Sequence, residues 1–211
     1  MGYTSFLEAG GAQDDPDTLA LSVRSIGQSA RKMGSIIDEL LLLASVRKVQ
    51  DVEPRPLDMH AIVHDVLVRM TDLIDRDGAS VDVPDEWPIA MGHAPWIEEV
   101  WVNYLSNAMK YGGSPPVLEL GAERVGTNVR FWVRDNGPGI KAEDQKQLFV
   151  PFTRLHQVRV TGQGLGLSIV SRIVSRLGGE VGVDSEPGAG STFYFTLPAC
   201  TVVRAAIRSS C

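Results

Sequence analysis

Two periodicities alternate along the second half of the chain. Met59, Ile62, Val63, Val66, Leu67, Met70 and Ile74 recur at steps of three and four and predict an amphipathic helix ending near Asp77-Gly78. Residues 95–111 predict a second helix, and 116–124 and 127–135 predict two strands joined by a Val125-Gly126 turn. A short strand over 79–83 and a Pro- and Trp-containing loop over 84–93 precede them. A short helix at 142–149, a polar loop at 150–163 and a helix at 164–177 follow. Strands at 181–184 and 192–197 close the series, with Gly188 and Gly190 in the turn between them. Helices and strands interleave, yet the last strands form hairpins. The pattern therefore predicts an α+β fold, a mixed-sheet α/β sandwich with helices on one face.

The first half reads differently. Leu19, Val23, Ile26, Ala30, Met33, Ile37, Leu40 and Ala44 recur at alternating steps of four and three. This is a heptad seam, and it predicts one long helix over 14–48, with Asp15 as cap and Pro16 at the first helical position. So narrow a stripe is poorly buried by a lone helix and calls for a bundle. Residues 2–9 suit the end of an antiparallel partner helix, with Gly10-Gly11 opening the turn. Residues 49–57, punctuated by prolines, read as a linker with some strand character.

Composition narrows the setting. The chain has 211 residues, 44% of them hydrophobic, enough for one sizeable core and an appendage. Its 26 acids and 20 bases give a net charge of −6, so nothing points to nucleic acid as a partner. Cys200 and Cys211 are the only cysteines, too few for a zinc site or a disulfide scaffold. No apolar run spans a bilayer and the N-terminus has no signal-peptide pattern, so a cytoplasmic segment without membrane contact is expected.

Three polar or glycine-rich clusters carry the chemistry. Asn103 and Asn107 lie one helical turn apart in NYLSNAMKY, so two amide oxygens share a face and suit a magnesium shell. Lys110 follows one turn later, placed for a phosphate. Asp135 ends a strand before Asn136-Gly137-Pro138-Gly139-Ile140. An acid there can accept a hydrogen bond from the amine of adenine, and glycines let a ring approach the backbone. Gly162-Gln163-Gly164-Leu165-Gly166 opens a helix, where exposed N–H groups and the positive dipole end suit an anion. Each cluster alone is also compatible with ordinary turns or helix faces. Their order on these elements reads together as an ATP–Mg²⁺ site.

Residues 58–198 resemble the catalytic ATP-binding domain of bacterial sensor histidine kinases, in the GHKL superfamily with the Bergerat fold. NYLSNAMKYG resembles the N box, DNGPGI the first G box, LFVPFTR the F box and GQGLGLSIV the second G box. The resemblance implies that Asn103 and Asn107 hold Mg²⁺, Lys110 contacts phosphate, Tyr111 packs on adenine and Asp135 receives the adenine amine. It further implies that Gly137 and Gly139 shape the pocket and that Ile140 forms an apolar wall. Phe149 and Phe152 would anchor a lid from which Arg154 reaches the phosphates. Gly162, Gly164, Leu165 and Gly166 would form hinge and phosphate cradle, and Thr192 would support the adenine side. Gyrases, chaperones and mismatch-repair ATPases of the superfamily carry a Glu as general base where Asn103 stands. An amide cannot take that proton, so phosphoryl transfer is expected over hydrolysis.

Residues 1–50 resemble part of the dimerisation and histidine-phosphotransfer hairpin, with 51–57 as linker and 199–211 as tail. The phosphoacceptor box is not among these residues: His64-Asp65 lacks its proline, and His60, His93 and His156 lack its context. The expectation is therefore a homodimeric kinase domain that binds ATP or ADP and serves a response-regulator receiver domain. It would not phosphorylate itself unaided. A nucleotide-binding interaction module and a GHKL ATPase are the alternatives.

Overall fold

The computed structural model describes residues 19–27, 29–30, 33–34, 52–151 and 165–200. The chain divides into two units, Met1–Lys48 and Val49–Cys211. In the first unit the described residues are helical, as the heptad pattern predicts. Leu19, Val23 and Met33 of the expected seam are exposed in the single chain, and Ser22 is buried. The 2–9 segment, its glycine turn, and residues 35–48 of the expected helix lie outside the described residues.

The second unit is a five-stranded mixed sheet covered by helices. Its strands are β2 (Ser80–Asp82), β4 (Val117–Val125), β5 (Asn128–Asp135), β6 (Val181–Ser185) and β7 (Ser191–Pro198). Their order is β2-β4-β5-β7-β6, with β2 parallel to β4 and every other pairing antiparallel. The strands β1 (Arg55–Pro56) and β3 (Met91–Gly92) pair separately. The end of the expected linker is thus part of this unit. Helices α1 (Met59–Arg69) and α2 (Thr71–Asp77) replace the single helix expected over 58–77. The break falls at Met70, whose backbone leaves helical geometry, and Gly78 ends α2 in the left-handed region at φ 60°. Helix α3 (Ala94–Tyr111) is the long one. Helix α4 (Ala142–Gln145) is shorter than the expected 142–149, and α5 (Gly166–Arg176) follows.

Strict alternation builds the core. Val129, Phe131 and Val133 of β5 and Phe193, Phe195 and Leu197 of β7 face the helices and are buried. Trp101 of α3, fully buried, meets Phe195 edge-on at 5.4 Å, Phe131 at 6.5 Å and Trp87 at 5.7 Å between ring centroids. Its indole N–H points at the Met59 sulfur, 3.1 Å away, which joins α1 to the same cluster. Tyr104 lies one turn along, buried, and its hydroxyl donates to the Tyr194 carbonyl at 2.9 Å. Helix α3 is therefore fixed in rotation, and so is the face bearing its asparagines.

The other face of the sheet carries the alternate residues. Gly121, Trp132, Tyr194 and Gly182 stand opposite one another in one row across β4, β5, β7 and β6. A Cβ on Gly121 would fall on the Trp132 ring, and one on Gly182 would fall on the Tyr194 ring. The Arg130 guanidinium sits 3.8 Å from the Tyr194 ring centre and pairs with Asp184.

Replacing Trp101 with Ala removes the ring that joins α1, α3 and the sheet. Urea denaturation is expected to show a loss of about 3–5 kcal/mol.

Candidate functional site

The site grows from the last residue of β5. Alternation turns Asp135 to the helix-covered face, where it is 7% exposed. Its Oδ1 accepts the Gly137 N–H at 2.8 Å and the Ser191 N–H at 3.3 Å. Its Oδ2 has no donor among the described residues. Burial raises the carboxyl pKa above its ordinary 3.8, and the hydrogen bonds from Gly137 and Ser191 oppose that rise. The result is an oriented acceptor whose second oxygen is unpaired among the described residues.

Glycines allow the backbone to close around this acid. A Cβ on Gly137 would stand 2.6 Å from the Tyr111 carbonyl oxygen and 2.7 Å from Asp135 Oδ1. Gly139 has φ 71°, and a Cβ there would fall on the Glu186 carbonyl oxygen. Gly190, at φ 80°, presses in the same way on the carbonyl oxygen of Asp135 itself. The Gly188 N–H donates to the Pro138 carbonyl at 2.7 Å, so the β6–β7 turn is tied to the loop after β5.

Asn103 and Asn107 are half-buried on one face of α3. The Asn103 amide nitrogen donates to the Glu99 carbonyl at 2.8 Å, which fixes the direction of its oxygen. That oxygen faces the start of α5: a Cβ on Gly166 would fall on it. Lys110 is exposed in the last turn of α3, and Tyr111 is 40% exposed. Leu165 is buried directly before α5, and Ile140 is half-buried. Phe149 lines a cleft beside α5 with Ser168, Ser171 and Arg172. Phe152, Arg154, Gly162 and Gly164 lie outside the described residues.

The fold thus brings Asn103 to Gly166, Tyr111 to Gly137, and Asp135 to the start of β7. One expectation needs correcting. Thr192 pairs in register with Arg134 and Asp184, on the side of the sheet away from Asp135. The preceding residue, Ser191, faces the acid, is buried and donates to it. A strand's period of two makes a one-residue error a change of face.

Other residues escaped the sequence reading. Asn136 Oδ1 accepts the N–H groups of Gly113 and Val117, both at 2.9 Å, and its amide donates to the Pro115 carbonyl at 3.1 Å. This side chain ties the loop after α3 to the loop after β5. An Asn-Gly dipeptide signals a turn, and nothing in it signals a tether across 20 or so residues of chain.

A family model described as "Histidine kinase-, DNA gyrase B-, and HSP90-like ATPase" matches residues 92–201. The chain belongs to this ATPase family. Among curated relatives, Adaptive-response sensory kinase SasA of Thermosynechococcus vestitus is 36% identical over 173 residues, covering 79% of this chain and 45% of that protein. Sensor-like histidine kinase SenX3 of Mycobacterium bovis is 30% identical over 196 residues, covering 88% of this chain and 47% of that protein. The chain therefore spans about half the length of these relatives. Among solved structures, ShkA in complex with AMPPNP aligns with a TM-score of 0.73 at 25% identity, covering 88% of this chain and 39% of that one. The mycobacterial sensor histidine kinase MprB aligns with a TM-score of 0.62 at 25% identity, covering 69% of this chain and 98% of that one.

The donor set of this family member has a definite chemical character. Among the described residues no three His, Cys, Asp or Glu side chains converge on a point that could hold a metal. A hard cation beside Asn103 and Asn107 would rest on amide oxygens, water and the ligand's own oxygens.

Two outcomes follow for the ligand-free protein. Gly139→Ala forces a side chain onto the Glu186 carbonyl at a left-handed backbone position, and chemical denaturation should show a loss of about 1–3 kcal/mol. For Asp135, a raised folded-state pKa means that its contribution to stability is greatest below the unfolded carboxyl's value and is lost as pH rises through the folded one. Asp135→Asn removes that dependence. Its melting temperature relative to wild type should therefore be higher at neutral pH than in the acid range, as thermal scans at both will show.

Proposed function

We propose that residues 58–198 are the ATP–Mg²⁺-binding catalytic domain of a sensor histidine kinase, which passes the γ-phosphate of ATP to a histidine. The observation that carries the reading is Asp135: a buried acid with Oδ1 occupied by two backbone N–H groups, Oδ2 without a donor among the described residues, and glycines packed closely around it. Such an acceptor suits the exocyclic amine of adenine and repels the carbonyl that guanine presents at the same place. Gly137 and Gly139 give the base room, Ile140 supplies an apolar wall and Tyr111 a flat ring. Ser191, rather than Thr192, supports the acid.

The remaining residues take roles along the triphosphate. Asn103 and Asn107 would offer amide oxygens to Mg²⁺, which would offset the negative charge of the phosphates. Lys110 and Arg154 supply positive charge, and Gly162, Gly164, Leu165 and Gly166 present backbone N–H groups at the start of α5. Phe149 and Phe152 root the lid over 150–163. Nothing in this set removes a proton from water, because Asn103 occupies the place of a general base and an amide is neutral and non-basic. The site positions a phosphoryl group for an incoming imidazole and does not activate a hydrolytic water.

The wider reading follows from the sensory-kinase relatives. Residues 1–50 contribute to a dimeric helical bundle and 51–57 lead from it into the catalytic domain through β1, while Ala199 and Cys200, expected in the tail, still donate to the Thr127 and Ile89 carbonyls of that domain. The phosphohistidine then serves an aspartate on a response-regulator receiver domain, in the cytoplasm. Among the described residues no helix is long and apolar enough to cross a membrane.

The test begins with calorimetric titration of ATP, ADP and GTP with and without Mg²⁺. Wild type should bind both adenine nucleotides, ATP more tightly with Mg²⁺, and should not bind GTP. Asp135→Asn, which presents an amide donor toward another donor, should weaken ATP binding at least tenfold, the loss expected of one charge-assisted hydrogen bond of about 1.5–3 kcal/mol. Asn107→Ala should lose the Mg²⁺-dependent part of ATP affinity and keep ADP binding without metal. Labelled ATP should also transfer acid-labile phosphate to a separately supplied acceptor-helix protein. Binding without transfer, or steady phosphate release far above background, would overturn the kinase assignment.

A further inference from the structure

Ile140 lies in irregular backbone between β5 and α4, yet both of its backbone polar groups are held. Its N–H donates to Ser185 Oγ at 2.8 Å. Its carbonyl accepts from the side-chain amide of Gln145 at 2.8 Å. The same Gln145 nitrogen donates to the Ser185 carbonyl, also at 2.8 Å. Gln145 is the last residue of α4, the point from which the chain leaves toward Phe149. One side chain therefore joins three places: the end of α4, the loop after Asp135 and the end of β6.

The network continues to the acid. Ser185 Oγ donates to the Gly190 carbonyl at 2.8 Å and stands 3.0 Å from Ser191 Oγ. Ser191 in turn donates its N–H to Asp135. Each step is part-buried or buried, so each group left without its partner would bear a desolvation cost. No regular ladder fixes Ile140 in their place.

We propose that Gln145 is a positioning residue for nucleotide binding: its amide bolts the end of α4 and the end of β6 to the base-side wall at Ile140. This rests on the nucleotide-site reading of Asp135. The physical argument is one of pre-organisation. Without the bolt, Ile140 samples open positions, and ligand affinity falls by the fraction of time the wall is closed. Because the wall serves the base, ADP and ATP suffer alike. The two carbonyl acceptors require a donor, so Lys at this position meets the need and Leu does not.

Calorimetry of the full chain with ADP and with ATP, on wild type, Gln145→Leu and Gln145→Lys, tests this. Amide hydrogen exchange at Ile140 is read in parallel without nucleotide. Gln145→Leu should weaken both nucleotides about tenfold, the factor for one net hydrogen bond's worth of lost pre-organisation. It should speed exchange at Ile140 while leaving the amides of β4, β5 and β7 unchanged. Gln145→Lys should restore affinity and protection. Unaltered affinity in the Leu variant, failure of Lys to restore it, or faster exchange throughout the sheet would each overturn the proposal. Absence of binding by wild type would sink the nucleotide reading and this inference with it. Binding by wild type with no effect of Leu would sink the inference alone.

Discussion

The structure depends on how closely backbone segments approach one another around a single carboxylate. The end of β5, the loop after it, the start of β7 and the end of α3 all meet within contact distance of Asp135, Gly137 and Gly190. Side chains at those glycines would push the segments apart. Closeness in turn gives Asp135 its two N–H donors and its raised pKa. A carboxylate so placed would be poorly solvated if nothing satisfied it, and the fold supplies half of what it needs.

Rigid packing elsewhere makes that arrangement reproducible. The aromatic cluster of Trp101, Phe131 and Phe195 fixes α3 against the sheet. The hydrogen bond from Tyr104 to the Tyr194 carbonyl fixes its rotation. Asn103 then has one orientation, with its amide nitrogen on Glu99 and its oxygen toward Gly166.

Much of this was legible in the sequence, for identifiable reasons. Period-two and period-3.6 patterns located the sheet strands and α3 within a residue or two, because one face of each is buried. The approach of Asn103 to Gly166 and of Asp135 to Gly137 follows from amides, one acid and glycines being unusual company at strand and helix ends, while Gly162 and Gly164 lie outside the described residues. What was not legible were contacts without periodicity. The break at Met70 interrupts a hydrophobic stripe that reads as continuous. Thr192 and Ser191 are both polar, and only strand register decides which faces the acid. Asn136, Gln145 and Ser185 act through backbone groups of distant residues, and a carbonyl leaves no trace in the letters of a sequence.

The outward side of the sheet follows a separate logic. Gly121 and Gly182 leave notches that the Trp132 and Tyr194 rings close, with Arg130 laid across the second. Each aromatic plate has its berth in the neighbouring strand, so the pairs behave as units in which bulk on one partner demands its lack on the other. This surface is therefore tiled by half-buried rings laid over glycines. An evolving lineage can change either tile only by exchanging both, and the sizes at 121 and 132, or at 182 and 194, should drift in opposite senses.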